Sequence, residues 1–136
     1  MERAEVSKKN KYYISKHRYY ELKHFCLQYK EWEEAMRLLD TWIKNPDEYR
    51  MVDVKGLTPA NPTEKLAVAR AYLSKRINLI DGVLSELDPF IAKYVKVGVT
   101  EGITYDILRI KGCPCCRDLY YEEYRKFFWL LNAKKE

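Results

Sequence analysis

Glycine and proline are scarce, five of each in 136 residues, which excludes a turn-rich or low-complexity chain. No stretch approaches the roughly 18 consecutive apolar residues of a membrane span. The first residues, MERAEVSKKNKYY, lack the apolar run of a secretory signal. The expected location is therefore the cytoplasm, where Cys26, Cys113, Cys115 and Cys116 should be reduced thiols. Catalytic signatures are missing as well: there is no glycine-rich phosphate loop, nucleophile elbow or HExxH. The carboxylates of Glu31, Glu33 and Glu34 sit among charged neighbours as ordinary solvated groups, so neither catalysis nor a cofactor is expected.

What the chain does contain is helical periodicity. Leu22, Phe25, Tyr29, Trp32, Met36, Leu39 and Ile43 step by three and four, predicting one helix from about residue 12 to Asn45-Pro46. Residues 46–61 break the pattern with two prolines and Gly56 and read as a loop. Asn61 as cap, Pro62 as first residue and Glu64 in the first turn begin a second long helix to about Leu87. Its stripe is Leu66, Ala69, Leu73, Ile77, Ile80, Leu84 and Leu87, and the two stripes should pack antiparallel. Asp88-Pro89 repeats the cap-then-proline signal for a third helix to about Val99. Phe90, Ile91, Tyr94, Val95 and Val97 are its apolar residues, and Gly102 closes it. The size fits one all-α domain, a helical hairpin over 12–87 followed by a unit over 88–132.

That last unit carries the functional signal. Thr104 can cap a short helix in which Tyr105, Ile107, Leu108 and Ile110 supply a small apolar face. Lys111-Gly112-Cys113-Pro114 should stop it and start the next helix, where Tyr120, Tyr124, Phe127 and Leu131 form the buried stripe. Arg117, Asp118, Tyr121, Glu122, Arg125 and Lys126 would then lie mostly outside. A helix-turn-helix has this pattern, and it reads DNA from the start of its second helix while basic residues meet phosphates. Helix pairs that merely pack have the same spacing. Charge is concentrated at both ends, eight basic against three acidic residues over 1–30 and nine against six over 93–136, which suits a polyanionic partner. The aromatic and basic face of Tyr12, Tyr13, His17, Arg18, Tyr19, Tyr20, Lys23 and His24 could grip nucleic acid, although packing explains it too.

The run from Lys111 to Tyr121, KGCPCCRDLYY, followed by Tyr124-Arg125-Lys126-Phe127-Phe128, resembles the C-terminal end of phage-encoded transcriptional regulators of the RinA and ArpU type. Asn61 to Ala67 and Val99 to Gly102 are similar to that group also, with Cys113 and Cys116 standing where the pattern has an aliphatic and a small residue. The resemblance implies a late-gene activator with a helix-turn-helix like the promoter-reading end of sigma factors. On that reading Arg117, Asp118 and Tyr121 contact base edges, and Lys111, Arg125 and Lys126 contact phosphates of double-stranded DNA. The hairpin would dimerise or contact RNA polymerase. A homodimer is expected because Tyr13, Tyr20, Leu27, Leu38 and Trp42 add apolar surface off the first stripe.

Two other classes share these features. A helical interaction module, for instance a phage inhibitor of a host factor, would use the basic ends against an acidic protein surface. A small terminase-like packaging adaptor would bind DNA as a ring. Cys113-Pro-Cys-Cys116 could join Cys26, His17 or His24 in a zinc site, but no second CxxC or HxxxH accompanies it and no metal is expected.

Overall fold

The structure, a computed structural model, describes residues 10–45 and 62–135. The described residues are all-α, with six helices and no strand: α1 Lys16–Cys26, α2 Tyr29–Lys44, α3 Pro62–Leu84, α4 Pro89–Glu101, α5 Tyr105–Ile110 and α6 Arg117–Lys134. The expected cap at Asn61 and loop over 46–61 lie outside the described residues. By their contacts the residues group into two units, Met1–Lys30 with Asn78–Glu136, and Glu31–Ile77.

The long first helix of the sequence pattern is in fact two. Leu27 and Gln28 interrupt it, with Leu27 N–H bonded to Lys23 O, Gln28 N–H turned back to Phe25 O, and the Gln28 amide donating to His24 O at 3.2 Å. Tyr29 then starts α2 with its hydroxyl donating to Asp81 Oδ1 at 2.8 Å, while Lys96 approaches the same carboxylate at 3.7 Å.

The larger unit is built on α6, whose Tyr120, Tyr124, Phe127 and Leu131 are buried as the periodicity requires. Tyr121 and Phe128 are buried beside them, so the covered face is wider than one stripe. Against it pack Tyr19, Leu22 and Cys26 of α1 and Ile91, Val95 and Val99 of α4. The rings interlock: Phe128 meets Tyr19 edge-on at 5.1 Å, and the buried Tyr19 and Tyr124 hydroxyls hydrogen-bond to each other at 2.8 Å. Arg18 donates to Asn132 Oδ1 and to Lys135 O, both at 2.7 Å, where a cation suits the negative end of α6. Asp88 caps α4 by accepting from Phe90 N–H, and Gly102 closes it in the left-handed region at φ 69°. Phe90, Ile107 and Ile110, expected on apolar faces, are exposed instead.

Among the described residues of the smaller unit the buried side chains are Trp32 and Leu39 of α2 and Leu66 and Leu73 of α3, two of the four positions that each predicted stripe has there. Arg70 Nε donates to Asp40 Oδ1 at 2.8 Å. Together with the Tyr29–Asp81 bond, this sets α2 and α3 antiparallel, residue numbers falling along one as they rise along the other.

Candidate nucleic-acid interface

Helix α5, the connection 111–116 and helix α6 form the predicted helix, turn and helix, with a longer connection than the sequence suggests. Gly112 is left-handed at φ 107°. Cys113 N–H bonds to Leu108 O and Gly112 N–H to Arg109 O, the paired bonds of a Schellman motif. Pro114 therefore follows the end of α5 and does not begin α6, which starts at Arg117 after extended Cys116. Two hydroxyls hold the loop carbonyls, Tyr94 on Gly112 O at 2.9 Å and Tyr105 on Cys115 O at 2.7 Å.

An open cleft of about 460 Å³ lies in front of this turn, lined by Tyr105, Asp106, Arg109, the segment 113–116 and Arg117. Arg117 is exposed, 3.7 Å from the Asp106 carboxylate and 5.4 Å over the Tyr121 ring. Lys111 and Asp118 are exposed too. The Cys116 side chain makes no capping bond at the start of α6, whose first N–H groups carry the positive end of the helix dipole.

The remaining expected residues are placed differently. Tyr121, anticipated on the outer face, is buried among the rings of Tyr105, Tyr120 and Tyr124 and cannot reach a base edge without unpacking. Arg125 and Lys126 are half-buried, and Arg125 Nε is enclosed without a hydrogen bond. Arg109 was missed by sequence reasoning; its place one turn before Gly112, on a helix whose Leu108 must face inward, is the signal that could have found it.

The thiols sit at the same turn. Cys113 is buried with its Sγ 3.6 Å from that of Cys115, whereas Cys116 is exposed. Burial, with the Cys113 thiol beside it, pushes the Cys115 thiol up to about 11. Cys26 lies in the α1 core, where burial also raises its thiol, and His17 and His24 are exposed on α1. Among the described residues no three metal-ligating side chains converge. No described helix is long and apolar enough to cross a membrane.

No protein-family model matches the chain, and neither a curated protein nor a solved structure is significantly similar to it.

Proposed function

We propose that this chain is a DNA-binding transcriptional regulator of the phage late-gene type, presenting the start of α6 to the duplex. The observation that carries the reading is the grouping of exposed Arg109, Lys111 and Arg117 about a helix start whose N-cap residue, Cys116, makes no side-chain capping bond. Cations and the N–H groups of a helix start suit phosphate, and a helix entering the groove from its N-terminus is the docking mode of helix-turn-helix proteins. Arg117 is the candidate for bidentate contact with guanine, and Asp118 can accept from a cytosine amino group. Lys111 and Arg109 take the phosphates. Tyr121 positions Arg117 by lying beneath its guanidinium, and so supports the surface from inside.

Selection from a random duplex pool tests this. The wild type should enrich a short motif, and Arg117→Ala should blunt the preference at one position by about 1–3 kcal/mol. Absence of duplex binding even at low salt would remove the proposal. A protein-binding role is favoured by a different observation, the exposure of Phe90, Ile107 and Ile110. In that case substitutions at these residues, and none at Arg117, would abolish function.

A further inference from the structure

We infer that the α2–α3 hairpin pairs with a second copy of this chain to form an antiparallel four-helix bundle. The starting point is the smaller unit, Glu31–Ile77, where among the described residues the two helices bury Trp32, Leu39, Leu66 and Leu73 while leaving Leu38 48 %, Ile43 40 %, Val68 64 % and Tyr72 55 % exposed. Trp42 is partly exposed beside them.

Leu38, Trp42, Val68 and Tyr72 share one face. At about 100° per residue, Leu38 and Trp42 lie roughly 70–110° round α2 from its buried side, and Val68 and Tyr72 roughly 110–150° round α3 from its own. Both offsets turn in the same sense seen from each helix's N-terminus. Because the helices are antiparallel, the two stripes fall on the same side of the hairpin. Asp40 and Arg70 are offset in the opposite sense, and their ion pair closes the other side. The register of that pair also sets Leu38 level with Tyr72, whose ring carries the Arg76 guanidinium at 3.4 Å, and Trp42 level with Val68, on one side of the hairpin.

Charge identifies the occupant. Within the unit α2 carries four acidic and two basic residues, and α3 carries four basic and one acidic. Glu34 on the outer edge of α2, where Arg37 pairs with it one turn on, is nearly level with Lys75 on the outer edge of α3. A two-fold axis parallel to the helices lays α2 of one copy on α3 of the other, antiparallel, with apolar patches face to face. Each Glu34 then meets the partner's Lys75, at both edges. An unrelated partner would need no such match between an acidic and a basic edge of the same hairpin. The inference holds whether or not α6 reads DNA.

Sedimentation equilibrium of the full chain at about 5–100 µM tests it, a range that reveals a micromolar dimer. The wild type should be dimeric. Leu38→Glu should weaken association at least about a hundredfold with unchanged helical circular dichroism, since both copies lose the contact. Glu34→Lys and Lys75→Glu, each alone, should be largely monomeric through like-charge edges. Mixed in equal amounts they should form a heterodimer, because both edges are complementary again. A monomeric wild type throughout the range overturns the inference. So does a dimer insensitive to both charge reversals, because it must use another surface.

Discussion

Gly98 sits on α4 where a Cβ would come within 2.1 Å of the Tyr120 hydroxyl oxygen. Tyr120 is 1 % exposed and its ring is held among those of Tyr105, Tyr121 and Tyr124, so Gly98→Ala should cost about 2–4 kcal/mol by overpacking. Pairing it with Tyr120→Phe removes the clashing atom, and the double variant should be less destabilised than the sum of the two, as read by denaturant melts. The thiols around α6 give a second check at this scale. Exposed Cys116 should alkylate first and buried Cys26 last, followed by mass spectrometry of the labelled peptides. Cys115 should label slowly at neutral pH and accelerate as pH rises toward about 11. Its thiol is protonated in both folded and unfolded chains at low pH, and only the unfolded chain ionises near the ordinary value of about 9. Stability should therefore fall as pH rises from there toward about 11. Faster labelling of Cys115 than of Cys116 at pH 7 would contradict the burial.

Punctuation of the helices was partly legible. Asp88 and Gly102 announce α4 because capping is local: a carboxylate reaches N–H groups two residues on, and a left-handed terminus needs a residue without Cβ. Gly112 is likewise readable, and since its φ is 107° with Schellman bonds on both sides, Gly112→Ala should cost about 1–2 kcal/mol and weaken duplex binding by disturbing the turn. Unchanged melting would show that the turn is not held in this conformation. Pro114 misled, because proline is as common just after a helix as at the start of one. The break at Leu27-Gln28 had no local signal at all. Both residues tolerate helix, and the contacts made around the break are tertiary: Leu27 lies beside Gly102 and Tyr29 reaches Asp81.

At the scale of the molecule, the proposed interface predicts a salt dependence. Lys111→Ala should weaken binding to all duplexes alike and reduce the slope of log affinity against log salt by about one, whereas Arg117→Ala should act mainly on sequence preference. Arg125→Ala is a poorer probe, because a half-buried guanidinium also contributes packing, and it should lower the melting temperature as well. Equal salt slopes for wild type and Lys111→Ala would take Lys111 out of the interface. The sequence by itself determined the all-α class, the stripes of α3 and α6 and the caps of α4, since periodicity and capping are properties of neighbours on one helix. Only the tertiary structure decided that Tyr121 is inside, that Phe90 and Ile110 are outside, and that the first helix divides. A residue on the edge of an apolar arc is buried or exposed according to how many helices converge on it, and that number is set by packing among segments far apart in the chain.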